Sequence, residues 1–301
     1  AHTRNNEHEA AIEARAKLAD YAEGTAWWEA NKDHPKEQRE AERFAKDSSI
    51  NTAIVFHQQA QTVRRRCVED QDPELCLKAQ ELYSLAAKSY QNYIKRYPND
   101  PEAYELQYNL ADAYYWSEDY EAAAREYAGV RDSNLDDKFL SISARLVVES
   151  IKRLADKADQ EGRIQVRKEA PEPAGDPARV KPLPIPKMLL RLARARENYE
   201  ERVGEEHDKE QLLESYRYNN TLLLYQYGYW DHARSRFVDI YNERCIGPKA
   251  DETGRVAWIN LRNIAVSLND SELVRQLGVD LQERECTFSP EGTEVAAVDC
   301  S

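Results

Sequence analysis

The sequence predicts an all-α fold, and three observations carry that expectation. Apolar residues recur at spacings of three and four along most of the chain. Strict alternation, the strand pattern, never persists beyond four or five residues. Helix-stopping chemistry falls between the apolar stripes, at His34-Pro35, Asp72-Pro73, Pro98-Asn99-Asp100-Pro101, Ser133-Asn134 and Gly247-Pro248.

The stripes justify the elements in order. Leu106, Leu110, Ala113 and Tyr114 share one helix face, and Ala123, Tyr127 and Val130 share the next. Ile142, Leu146, Ile151 and Leu154 mark another helix, with Glu149 as an imperfection on its face. Further on, Leu189, Leu192, Ala195 and Tyr199 form a stripe, followed by Leu212, Leu213 and Tyr216. About a dozen helices in antiparallel pairs are expected.

Composition narrows the function classes. The 301 residues carry 42 Lys and Arg against 55 Asp and Glu, a formal charge of −13, with no basic stripe. That balance argues against nucleic acid and against anionic membranes as partners. No apolar run is long enough to span a bilayer. Ten glycines are few for a turn-rich β-sandwich or a glycine-loop nucleotide fold. The chain begins at Ala1 and its one methionine is Met188, so it reads as a processed or cut fragment, with any targeting signal out of view.

Proline divides the chain. Six of the twelve prolines, Pro171, Pro173, Pro177, Pro182, Pro184 and Pro186, stand within one short stretch. No helix or central strand passes through it. Three parts are therefore expected: a helical array over 1–160, a proline-rich insertion over 161–187, and a second array over 188–301. Pro182 to Pro186 should be polyproline-II-like. It reads either as a solvated linker or as a segment laid along a helical groove, anchored by Leu183 and Ile185.

An internal repeat is present. YNLADAYYWSEDYEAAAREY (Tyr108 to Tyr127) aligns without gaps to YNNTLLLYQYGYWDHARSRF (Tyr218 to Phe237), at an offset of 110. That offset is near three units of ~34–37 residues, the period of helix-turn-helix arrays. Leu110, Ala111, Tyr114, Tyr120, Ala123, Tyr127 and Val130 resemble the signature of the tetratricopeptide repeat. The resemblance implies a right-handed superhelix of antiparallel helix pairs. Small residues (Ala111, Ala123) permit close helix approach, and Tyr114, Tyr120 and Tyr127 fill the core between repeats. The second copy departs at Asn220 and Thr221, where Leu110 and Ala111 stand, so its first helix should pack less regularly. Weaker units are expected at Ile50 to Arg66 paired with a helix carrying Tyr83, Ala86, Tyr90 and Tyr93. A last pair carries Trp258, Leu261, Leu273 and Leu277, and GTAWW (Gly24 to Trp28) suggests an irregular first unit.

The resemblance also places residues on the concave face: Glu105, Tyr108, Asp112, Tyr115 and Trp116 in one copy, Tyr218, Leu222 and Tyr225 in the other. Tyrosine offers large contact area at low rotamer cost, which suits a protein-binding surface. Asn109 and Asn219 match an asparagine of the chaperone-binding members of that family. Tyr108 and Tyr218 stand where their lysine would be, which argues against that role.

Cys67 and Cys76 flank Asp72-Pro73 and are expected to bond across a helical hairpin. If adjacent repeats end side by side, as the resemblance implies, Cys245 pairs with Cys286, with Cys286–Cys300 as the competing pair. Five free thiols in a reducing cytosol is the opposing reading. Disulfides point to an oxidising compartment such as the periplasm. No cysteine or histidine spacing suggests a metal site, and no catalytic constellation or cofactor motif occurs. The segment Tyr97 to Pro101 resembles envelope tetratricopeptide proteins, among them outer-membrane assembly lipoproteins and the accessory protein of the Tol-Pal system. RFVDIYNERC and GTAWWEAN look like periplasmic repeat proteins of predatory and gliding bacteria. The expectation is a non-enzymatic scaffold binding proteins or peptides in an envelope complex, gliding motility included. The alternatives are a cytosolic peptide adaptor and a helical support domain of a longer protein.

Overall fold

The structure is a computed structural model that describes residues 17–133, 135–171, 181–245 and 251–283. Among them every regular element is helical. A 3₁₀ turn (Lys17–Tyr21) precedes eleven α-helices: α1 Ala26–Ala30, α2 Pro35–Asp70, α3 Pro73–Arg96, α4 Ala103–Trp116, α5 Tyr120–Arg131 and α6 Leu140–Gln160. After the proline-rich stretch come α7 Lys187–His207, α8 Leu213–Gln226, α9 Trp230–Arg244, α10 Glu252–Ser267 and α11 Ser271–Glu283.

Helix starts follow local chemistry. Pro35 and Pro73 open α2 and α3, where a missing amide donor costs nothing. Asp72, Asp119 and Asp251 accept hydrogen bonds from the first free amides of α3, α5 and α10. One expectation needs correcting. The helix expected over Ile50 to Arg66 begins fifteen residues earlier, at Pro35. No proline or glycine interrupts that stretch. Its first half shows little apolar stripe (Phe44 is exposed), so periodicity gave no sign of it.

The internal repeat is kept in the backbone. The helices of the two copies start at 103 and 213, and their partners at 120 and 230, both at the offset of 110. Their turns carry the same bonds: the amides of Ser117, Glu118 and Asp119 reach the carbonyls of Ala113, Tyr115 and Tyr114. Those of Tyr227, Gly228 and Tyr229 reach Leu223, Tyr225 and Leu224 in the same way. The α10–α11 turn repeats the pattern at Leu268, Asn269 and Asp270. This is the Schellman geometry, with a left-handed residue at its apex. Glu118 (φ 65°), Gly228 (φ 80°) and Asn269 (φ 54°) occupy that place.

The chain forms two compact units, Ala1–Leu154 and Ala155–Ser301. The division falls inside α6, whereas proline content placed it at 160/161. The described flanks of the proline-rich stretch belong to the second unit and are tied to the α8–α9 turn. Leu183 donates to the Tyr227 carbonyl (2.8 Å) and Tyr227 Oη donates to the Gln165 carbonyl (2.9 Å). Gln226 Nε2 donates to the Lys168 carbonyl (3.1 Å). Leu183 and Ile185 pack with Leu189, Leu223 and Tyr227, which is the groove-bound reading of that segment. Residues 172–180 lie outside the described residues.

In the first unit, alanines interlock with rings: Ala53, Ala60, Ala86 and Ala87 surround Tyr83, Tyr90 and Tyr93, and Leu106 and Leu110 join them. In the second, Trp230, Phe237 and Tyr241 pack on Ala257, Leu261, Ile264 and Leu277. Tyr127 is fully buried, while Tyr114 and Tyr120 are half-buried. Buried phenols repeatedly donate to an aspartate: Tyr93 to Asp100, Tyr127 to Asp112, Tyr199 to Asp208 and Tyr241 to Asp280, at 2.9–3.2 Å. Asp100 and Asp208 each also accept from backbone amides at the start of the next helix (Glu102; Leu212 and Leu213). Each therefore ties the end of one helix to the start of another.

Asp100 carries an acid-stability prediction. Burial pushes its carboxyl up, but hydrogen bonds from Lys46, the Glu102 amide and Tyr93 outweigh that and hold it below its ordinary 3.8. A depressed folded-state pKa stabilises the fold above the unfolded value and loses that contribution as pH falls through the folded one. Asp100→Asn is expected to lower stability by about 2 kcal/mol at neutral pH. The gap between the variant and the parent in urea titrations should narrow below pH 3.8. A gap independent of pH would contradict this account.

Candidate functional site

The site is built first on α4. Glu105, Tyr108, Asp112 and Trp116 fall at intervals of three and four, so one face carries all four. Facing them are His57 and Arg64, two turns apart on α2. His57 Nε2 lies 3.4 Å from Asp112 Oδ2, and its Nδ1 lies 3.3 Å from Tyr90 Oη. Asp112 Oδ1 accepts from Tyr127 Oη. Tyr108 stacks flat on Phe139, with centroids 4.2 Å apart. Burial first, and the Asp112 charge second, push the Tyr83 and Tyr108 phenols up to about 12.

Trp116 ends the face. The Arg64 guanidinium lies over its ring, with Cζ 3.3 Å from the centroid. Tyr83 approaches the same indole at 6.5 Å. Tyr115, expected on the open face, is buried with 8% exposure. It meets Trp116 and Tyr120 edge-on, and its phenol engages Arg153. It sits one residue off the inner stripe, which turns it about 100° into the hairpin. Beside Trp116 opens a pocket of ≈ 270 Å³, lined by the ends of α2 and α3, the α4–α5 turn and Arg153.

The second unit treats its face differently. Tyr218 Oη accepts from Asn260 Nδ2 (3.2 Å), and Tyr225 lies within hydrogen-bond reach of Asn263. Both rings meet Phe237. The α8 face carrying Tyr218, Leu222 and Tyr225 is thus partly covered by α10, and all three are half-buried. A pocket of ≈ 340 Å³ opens on the other side of α8. Asn220 and Thr221 line it, where the first copy has Leu110 and Ala111. Five carboxylates surround it (Glu197, Glu200, Glu214, Asp239 and Glu243), and Arg217 bridges Glu200 and Glu214 at 2.7 and 2.9 Å. The departures from the repeat pattern therefore mark a polar cavity wall.

Cys67 and Cys76 are bonded across the α2–α3 turn, with Cα atoms 5.1 Å apart. Cys245, at the end of α9, is also disulfide-bonded. The expected partner Cys286 lies outside the described residues, as does Cys300. Among the described residues no three His, Cys, Asp or Glu side chains gather as metal ligands, and no helix is long and apolar enough to cross a membrane. Compared with protein-family models and with curated proteins, the chain matches none.

Arg64 and His57 were not legible as site residues. The histidines, His57 among them, read as surface or packing residues, and nothing in the sequence singled out Arg64. Their spacing of seven on α2 is the one signal that joins them.

Proposed function

We propose that this chain is a tetratricopeptide-like scaffold of an oxidising compartment, the cell envelope, which docks other polypeptides and catalyses no reaction. The observation that carries the reading is the repeated hairpin. Two copies share helix starts, turn bonds and core rings at a constant offset, and that organisation resembles tetratricopeptide arrays. Such arrays stack hairpins into a surface for partners. The inner side of α4 offers Glu105, Tyr108, Asp112 and Trp116 around Arg64. That mixture of rings and charge suits recognition of a peptide chain. The disulfide at Cys67–Cys76 and the bonded Cys245 favour an oxidising compartment over a cytosolic adaptor.

Trp116 is the substitution of choice, because Tyr115 belongs to the core. Trp116→Ala should release captured partners from envelope extract while the cooperative melt is retained. Undiminished capture would remove the α4 face from the docking surface. Turnover of a small molecule would overturn the scaffold reading altogether.

A further inference from the structure

The tip of the α2–α3 hairpin has almost no core of its own. Between Ala60 on α2 and Ala79 on α3 a single residue is buried, and it is Cys67. Val68 and Leu77, the large apolar side chains nearest the turn, are 65% and 61% exposed. Packing of α2 on α3 by alanines and tyrosines begins only below the tip, at Ala60, Tyr83, Ala86 and Ala87. The Gln71 and Asp72 amides close the turn on the Cys67 carbonyl. Those bonds fix the course of the chain, whereas the Cys67–Cys76 disulfide holds the two helix ends side by side. Arg64, one turn before Cys67, carries the tip onto the Trp116 ring.

The same disulfide is open to reagents. Both of its cysteines line the ≈ 270 Å³ pocket beside Trp116, whereas Cys245 is 2% exposed. Arg64 and Arg153 line that pocket too, and their charge favours an approaching or departing thiolate. Glu118, the one acidic residue of the lining, is engaged by Gln80 Nε2 (2.6 Å). A disulfide that a thiol reaches without unfolding is of the labile, regulatory kind. Its cysteines stand only nine residues apart, so opening the bond frees a short loop and leaves the tyrosine core of the unit in place.

We propose that Cys67–Cys76 is a redox latch on the docking face, opened by a dithiol and closed by a disulfide oxidant. A thiolate of the dithiol attacks Cys76 Sγ, at the less buried of the two cysteines, and forms a mixed disulfide. The protein S–S bond breaks, and Cys67 leaves as a thiolate that takes up a proton. The second thiolate of the dithiol then attacks the dithiol sulfur of the mixed disulfide. That step releases Cys76 and closes the reductant into its own disulfide. Two electrons pass to the protein, and the two protons of the dithiol end on Cys67 and Cys76. A disulfide oxidant runs the same steps in reverse. Once the latch is open, the last turns of α2 loosen and Arg64 leaves the Trp116 ring. The regulatory meaning of the latch rests on the docking reading, and its chemistry does not.

The test uses the full chain without denaturant. Dithiothreitol, followed by alkylation and peptide mapping, should open Cys67–Cys76 while the Cys245 bond stays closed. In the reduced chain, amide exchange over 61–78 should quicken at least about tenfold, with Tyr83 to Tyr93 unchanged. Cys67→Ser/Cys76→Ser, kept under non-reducing conditions, should exchange equally fast with Cys245 still bonded. Oxidised glutathione should return the reduced parent to slow exchange and leave the double variant fast. Both opened forms should hold captured envelope partners at least about tenfold more weakly than the oxidised parent does. The latch is wrong if the pair resists dithiothreitol, or if it opens only together with the Cys245 bond. It is equally wrong if exchange over 61–78 is unmoved, or if the opened forms bind partners at the parent level. If the oxidised parent captures nothing, the docking reading falls, while thiol mapping and exchange still decide the latch.

Discussion

Phe237→Ala is expected to destabilise the second unit by about 3–5 kcal/mol. Phe237 is fully buried on α9 and meets the rings of Tyr218 and Tyr225 at 6.0 and 6.4 Å. It also packs within the cluster of Trp230, Ile240, Leu261, Ile264 and Leu277. Truncation removes the transfer free energy of a benzyl group and leaves a cavity. Rings and rigid helices around it cannot collapse to fill that cavity. Because α8, α9 and α10 all contribute to the cluster, the loss is shared across the hairpins. Urea unfolding followed by circular dichroism measures it, and a loss under about 1 kcal/mol would mean that this ring is not the hub of the second unit.

Gly254→Ala should cost about 3 kcal/mol or more, for a different reason. Gly254 lies in the first turn of α10, against the end of α9. The Asp251 amide donates to the Arg244 carbonyl (2.8 Å), and Asp251 Oδ2 pairs with Arg244 Nη1 (3.2 Å). A Cβ at 254 would stand 2.0 Å from the Arg244 carbonyl oxygen and 2.5 Å from the Cys245 nitrogen. Both are backbone atoms that no rotamer change can move away. Gly278→Ala is the matched control, since nothing lies within 4 Å of a Cβ there. It should gain up to about 1 kcal/mol from helix propensity. Equal effects at the two positions would contradict the close approach of α9 and α10.

Much of this was legible in the sequence, for physical reasons that differ by element. The helical class is written in three-and-four spacing, because burial on one side of a helix demands it. The hairpin turns at Glu118 and Gly228 left no such mark in the chain, because the left-handed apex is taken by glutamate in one copy and by glycine in the other. The repeat was legible because identical hairpins need the same small and aromatic residues at the same places. The first half of α2 was not, since a helix with little buried surface leaves no stripe. Tyr115 was misplaced because one helical position separates an inner face from a core. The aspartates that receive buried phenols were invisible, as the pairing of Tyr93 with Asp100 or Tyr199 with Asp208 crosses from a helix into a loop. Arg64 was missed because its meaning depends on Trp116, which is far away in sequence.

Quantitative binding of a captured envelope partner to the purified chain, with Trp116→Ala beside it, tests the scaffold account most directly. Trp116 is half-buried at the mouth of the pocket, and its loss removes both the ring and the support of Arg64. The account predicts a single saturable isotherm for the parent chain and at least about tenfold weaker binding for the variant, at a temperature where both are fully folded. Equal affinity of the two proteins for that partner would contradict it.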